Sequence, residues 1–343
     1  MGLQIKELIK AKEISIKSLS GKICCVDTFN LLYQFLTTIR SRDGSPLMDS
    51  GGSVTSHLVG LFSRTTNLME HGLKLAFVFD GAPPKLKQEE RERRKGLKIE
   101  AQKQYEAAKK KEDLDGMKKY ASRTSRLDKE MIGEAKELIS ALGLPVIQAP
   151  SEGEAQAAKI VKDGKADFCV SQDFDSLIHG ASNLVRNLSI LGKRKKANKL
   201  SYETFKPEVI NLSDNLNNLG IDQDKLIALA LLIGTDYNIG GIKGIGPKNA
   251  LKLVKEYKDF DSLFKAVKWD DFFGFGWEEV YYTIKKMPVS SDYSLSWNSP
   301  NPERIAKILV ENHDFSAERV ESSLNKLLKT QENKKQKGLG EFF

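Results

Sequence analysis

The stretch KICCVDT, residues 22–28, decides the fold. It is short, apolar and partly β-branched, and it closes on a carboxylate, Asp27. Such a run, bounded by polar residues, reads as a strand buried on both faces. Three further stretches share its form: LKLAFVFD (73–80), LPVIQ (144–148) and ADFCVSQD (166–173). Helical patterning separates them. The sequence therefore predicts an α/β fold with a mainly parallel central sheet flanked by helices. Residues 183–205 read as a hairpin with a basic turn, and the chain from about 222 onward reads as helices.

In a parallel sheet the C-terminal ends of the strands lie along one edge, where ligand sites form. Asp27 and Asp80 close the first two strands. Glu152 and Glu154 follow the third, and Asp173 and Asp175 follow the fourth. Asp236, in LIGTDYN, follows an apolar helical run. Any one of these acids alone is more often a helix cap or turn residue. Six at one edge, joined by a seventh, predict a cluster. Two like charges ~4 Å apart cost roughly 4 kcal/mol at an effective dielectric near 20, so the cluster needs protons or cations. No His or Cys stands at ligand spacing, which disfavours zinc. Oxygen-only donors point to Mg²⁺ or Mn²⁺. Two such ions roughly 4 Å apart suit in-line hydrolysis of a phosphodiester.

The 343 residues carry a formal net charge of +8, compatible with a polyanionic partner. Residues 85–130 hold 16 Lys/Arg against 10 Asp/Glu and no convincing strand. They read either as a polyanion-binding footprint or as a pair of solvated helices. Gly244-Ile245-Gly246-Pro247 precedes an amphipathic helix, with Lys243 and Lys248 beside it. Backbone N–H groups there suit a phosphate oxygen, although an ordinary glycine turn has the same form. Cys24, Cys25 and Cys169 are too few for a disulfide framework and read as core residues of a reducing interior. No signal peptide or membrane-length apolar run is evident, so a soluble, cytoplasmic protein is expected. The polar, glycine-containing tail TQENKKQKGLGEFF (330–343) reads as flexible, yet it ends on two phenylalanines.

These motifs in combination resemble a flap endonuclease, of the structure-specific 5′ nuclease family. CVDTFNLLYQFL (25–36), TSHLVGLFSRT (55–65), VFDGAPPKLK (78–87), APSEGEAQAA (149–158), SQDFDSL (171–177), GTDYNIGGIKGIGPKNA (234–250) and QKGLGEFF (336–343) carry the resemblance across the chain. It implies a PIN-like single nuclease domain, 1–330, divided into an N-terminal part (1–84), a helical arch (85–130), an internal part (131–221) and a helical DNA-binding part (222–330). A helix–two-turn–helix at 226–256, holding a monovalent cation such as K⁺, and a flexible clamp-binding tail, 331–343, complete the layout.

The resemblance further implies that Asp27, Asp80, Glu152 and Glu154 hold one Mg²⁺, and that Asp173, Asp175 and Asp236 help to hold a second. Lys87 and Arg94, at the base of the arch, act on the scissile phosphate. Tyr33 stacks on the unpaired base, and Gly2 lies near the active site once Met1 is removed. Arg40, Thr55 and Arg64 form a pocket for a one-nucleotide 3′ flap. Gly234, Lys243, Gly244, Gly246 and Lys248 face the downstream duplex. Gln336, Leu339, Phe342 and Phe343 match a sliding-clamp-binding motif ending at the last residue, as in archaeal members. The implied activity is 5′ flap cleavage of branched DNA, with 5′–3′ exonuclease activity, by a monomer. Its implied place is Okazaki fragment maturation and base excision repair. A non-catalytic scaffold would gain nothing from a repulsive acid cluster.

Overall fold

The computed structural model describes residues 3–188, 192–195 and 202–340. Its strands are β1 (Lys12–Glu13), β2 (Ile23–Asp27), β3 (Lys74–Phe79), β4 (Val146–Gln148), β5 (Phe168–Val170), β6 (Asn183–Arg186), β7 (Gly192–Lys195), β8 (Tyr202–Phe205) and β9 (Glu208–Asn211). Among the described residues the central sheet has the order β1-β9-β6-β5-β2-β3-β4. β6, β5, β2, β3 and β4 run parallel, while β9 and β1 close one edge antiparallel. The four stretches read as parallel strands thus lie side by side, with their C-terminal ends at one edge.

Alternate residues of the inner strands feed two cores. Cys24, Val26, Leu75, Phe77, Phe79 and Val170 face one. Cys25, Ala76, Val78, Ile147 and Cys169 face the other. That is why the strand sequences read as continuous apolar runs. The first core is covered by α1 (Thr28–Thr38), α2 (Ser56–Glu70) and α5 (Lys129–Ala141). Between α2 and α5 the chain forms α3 (Gln88–Lys110) and α4 (Leu114–Ala121). The second core is covered by α6 (Gly153–Lys162), short α7 (Asp175–Ile178), α8 (Leu212–Leu219) and α9 (Gln223–Ile233). α9 is buried continuously from Leu226 to Leu232, which accounts for its apolar sequence. After it come α10 (Pro247–Glu256), α11 (Phe260–Ala266), α12 (Trp277–Lys285), α13 (Pro302–Ala306) and α14 (Ala317–Gly340).

Two expectations change. Residues 183–205 are not one hairpin. Asn183–Arg186 is a strand of the central sheet, paired with β5 and β9. Only β7 and β8 form the hairpin, Gly192 opposite Phe205. Leu184 and Val185 are fully buried, and this apolar pair is what draws β6 into the sheet. The tail also differs, because α14 continues through Gly340. Lys, Gln, Glu and Leu are adequate helix formers, and they extend a helix already anchored by buried Val320, Leu324 and Leu327. Among the described residues no helix is long and apolar enough to cross a membrane.

Candidate active site and metal centre

Local backbone chemistry positions each acid. Asp27 ends β2 and caps α1, its Oδ1 accepting from the Asn30 N–H at 3.1 Å. Asp80 lies one residue past β3, and its Oδ1 accepts from the Gly153 N–H at 2.7 Å. Glu152 is the N-cap residue of α6, and Glu154 lies in its first turn. Asp175 opens α7, and its Oδ1 accepts from the Leu3 N–H at 2.9 Å. Asp236 follows α9 across Gly234, whose φ of +107° suits glycine and whose Cβ, if present, would lie 2.5 Å from the Gly241 nitrogen. Thr235 and Asn238 brace that turn through a side-chain hydrogen bond of 2.7 Å.

All seven predicted acids line one cavity of about 270 Å³, together with Phe29, Asn30, Tyr33, Lys87 and Arg94. Burial and the charges of Asp27 and Glu152 push the Asp80 carboxyl up to about 7. Burial and the charges of Asp173 and Asp236 do the same to Asp175, also to about 7. Glu154 is pushed well above the carboxylate range by burial and by Asp175, Asp27 and Asp173. These acids repel one another as the sequence predicts. Cations already answer part of that repulsion. Lys87 Nζ lies 2.5 Å from Glu152 Oε2 and 3.5 Å from Asp236 Oδ2. Arg94 Nη2 lies 2.6 Å from Asp236 Oδ1. Burial works against the Lys87 charge, yet Glu152 and Asp236 outweigh it and hold the ammonium protonated above its ordinary range.

The donor set fits a hard divalent cation. Oxygens of Glu154, Asp173 and Asp175 lie within 4.8 Å of one another, and all are carboxylate. Glu154 therefore groups with the Asp173 side of the cluster. It also shares the Ser171 hydroxyl with Asp27, at 3.3 and 3.1 Å.

A second cavity, about 530 Å³, continues outward beneath α3. Phe29, Tyr33, Asp80, Lys87, Arg91, Arg94, Lys95, Lys98, Arg126 and Glu152 line it. Lys98 sits over the Tyr33 ring, 4.7 Å from its centroid. Lys87, Arg91, Arg94, Lys95, Lys98 and Arg126 of the charged stretch thus stand beside the acidic rim. A separate 340 Å³ cavity holds Arg40, with Leu36, Pro46, Val54, Gln102 and Ser125 around it. Thr55 is the N-cap residue of α2 and Arg64 lies along that helix. Gly246 caps α10 with Pro247 at its first position, and Lys248 contacts Glu7 at 3.8 Å. Gly2, Phe342 and Phe343 lie outside the described residues. Gln336 and Leu339 fall within α14.

Several site residues escape a sequence reading. Asn30 donates from Nδ2 to Asp173 Oδ2 at 2.9 Å and accepts from the Gln172 N–H at 3.2 Å. Ser171 joins Asp27 to Glu154, and Glu90 holds Arg94 by a 2.6 Å bond. Their only sequence signal is proximity to an acid or cation already singled out, as Asn30 stands three residues after Asp27.

Family models for the XPG N-terminal domain and the XPG I-region match residues 2–101 and 143–236. Flap endonuclease 1 of Thermococcus onnurineus is 50% identical over 347 residues, covering 100% of this chain and 99% of that protein. The solved flap endonuclease-1 from Methanococcus jannaschii superposes with a TM-score of 0.75 at 40% identity, covering 97% of this chain and 100% of that one. The catalytic core of Rad2 in complex with DNA substrate superposes with a TM-score of 0.66 at 25% identity, covering 92% and 96%. With close relatives matched end to end and an acidic site where the family's motifs place it, this chain belongs to the flap endonuclease 1 family.

Proposed function

We propose that this protein is a metal-dependent endonuclease that removes 5′ flaps from branched duplex DNA by phosphodiester hydrolysis. The observation that carries the reading is the meeting of seven carboxylates with Lys87 and Arg94 around one cavity. Asp27, Asp80, Glu152, Glu154, Asp173, Asp175 and Asp236 would hold two Mg²⁺ ions, with Mn²⁺ able to substitute. When bound, the ions supply charge neutralisation and Lewis acidity at the phosphate. Lys87 and Arg94 meet the scissile phosphate from the arch side and stabilise the charge that grows on it. Tyr33, on the wall of both cavities, offers a ring face to the base beside the cut. Gly234 and the 243–248 turn carry Lys243, Gly244, Gly246 and Lys248 toward the downstream backbone, which they position without reading sequence.

The finer parts of this reading rest on the family's motifs. A K⁺ ion sits at the helix–two-turn–helix, and Arg40, Thr55 and Arg64 take a one-nucleotide 3′ flap. Gln336, Leu339, Phe342 and Phe343 engage a sliding clamp, as a small apolar plug. The enzyme acts as a cytoplasmic monomer in lagging-strand maturation and base excision repair, with 5′–3′ exonuclease activity alongside. The test is single-turnover cleavage of a labelled 5′-flap duplex by Asp173→Ala. Cleavage is lost while binding persists. A variant that cuts at the wild-type rate in saturating Mg²⁺ removes Asp173 from the site.

A further inference from the structure

Along α3, an otherwise charged and exposed helix, Glu90, Ala101 and Ala108 are the buried positions. A buried carboxylate on such a helix needs an account. Both of its oxygens are engaged by two arginines of the next turn. Oε2 accepts from Arg93 Nε at 2.6 Å, and Oε1 accepts from Arg93 Nη2 at 2.8 Å and from Arg94 Nε at 2.6 Å. Arg94 then reaches onward, its Nη2 on Asp236 Oδ1 at 2.6 Å. One guanidinium is thus held at Nε by Glu90 and bonded to the acidic rim through Nη2. Arg94, not Arg93, lines both cavities of the site.

The charges explain why two arginines are present. A Glu90–Arg94 pair alone would be neutral, and the cation facing the site would be quenched. Arg93 supplies a second charge, so Glu90, Arg93 and Arg94 together carry one net positive charge, which Arg94 brings to Asp236 at the rim. The bidentate geometry also fixes direction, which a lone flexible arginine lacks.

We infer that Glu90 is a positioning residue for the cleavage reaction: it holds Arg94 at the acidic rim, on Asp236, from where the guanidinium would meet the scissile phosphate, and Arg93 offsets the charge of Glu90. This rests on the role given to Arg94 above. A side chain held loosely loses about 10- to 100-fold in rate when the productive geometry is missed by roughly an ångström.

The experiment is a double-mutant cycle on a labelled 5′-flap duplex in Mg²⁺, with single-turnover rates and, in Ca²⁺, dissociation constants. Glu90→Ala is expected to slow cleavage about 10- to 100-fold while binding stays within about threefold. In the Arg94→Ala background the same change costs nothing further. Glu90→Gln, which keeps one carbonyl acceptor, falls between wild type and Glu90→Ala and serves if Glu90→Ala does not fold by circular dichroism. Independent losses that multiply, an unchanged rate, or a loss of binding equal to the loss of rate would overturn the assignment. A slow Arg94→Ala beside a normal Glu90→Ala removes Glu90 alone. A normal Arg94→Ala removes the role of Arg94 and Glu90 together.

Discussion

Asp80 accepts a hydrogen bond from the Gly153 N–H at 2.7 Å, and a Cβ on Gly153 would stand 2.7 Å from that same carboxylate oxygen. The contact joins the acid after β3 to the start of α6, so it sets the spacing between Asp80 and the two glutamates flanking Gly153. Gly153→Ala is expected to push the Asp80 carboxylate aside and cut the single-turnover rate by about 10-fold or more. Secondary structure stays intact. Wild-type turnover by a folded Gly153→Ala protein would show that this approach does not matter.

Concentrating acids is costly to the fold. Asp175 is half-buried beside Asp173 and Asp236, and desolvation together with their charges pushes its carboxyl up. Asp175→Asn keeps an oxygen for the Leu3 N–H and removes a charge. In EDTA this variant is expected to melt above the wild type, by about 1–2 kcal/mol of added stability, while losing flap cleavage. Adding Mg²⁺ is expected to raise the wild-type melting temperature more than that of the variant. A less stable variant in EDTA would contradict the repulsion.

Away from the site, Glu134 ties together two histidines. Its Oε2 lies 3.0 Å from His57 Nε2 and its Oε1 lies 3.2 Å from His313 Nε2, while His313 Nδ1 lies 2.8 Å from Asp49 Oδ2. The network fastens α2 and α5 to the segment before α14. Glu134→Ala leaves His57, fully buried, without this partner, and about 1–3 kcal/mol of stability is expected to go. Urea denaturation measures it; an unchanged midpoint would mean the network contributes nothing net.

Glu90 also carries a pH signature. Burial favours its neutral form, but hydrogen bonds from Arg93 and Arg94 outweigh that and hold its pKa at about 2. In the unfolded chain a glutamate titrates near ~4.3. The folded protein therefore binds this proton less readily, so the stabilisation is complete above about pH 4.3 and is lost as pH falls toward about 2. The stability gap between wild type and Glu90→Gln is expected to be level from about pH 5 to 7 and to close below about pH 4. A gap that stays constant down to about pH 2.5 would show that the arginines do not hold the charged form.

Much of the site was legible because strand periodicity and topology do the same work. Once 22–28, 73–80, 144–148 and 166–173 are parallel strands, Asp27, Asp80, Glu152, Glu154, Asp173 and Asp175 must gather at one edge. Asp236 was legible only through its motif, since a helix end is not bound to the sheet by register. Asn183–Arg186 was misread because the basic turn beyond it dominates the local composition, while its partners β5 and β9 are set by tertiary pairing. Glu90 was hidden for another reason. Acid–base pairs at i, i+3 and i, i+4 are common on solvated helices, and only burial distinguishes this one.

The central claim is that the converging acids work through divalent ions. The most direct measurement is cleavage of a 5′-labelled flap duplex by the purified protein in Mg²⁺ and, in parallel, in excess EDTA. Cutting near the flap junction in Mg²⁺ and none in EDTA is the predicted result. Equal cutting in both would contradict the account.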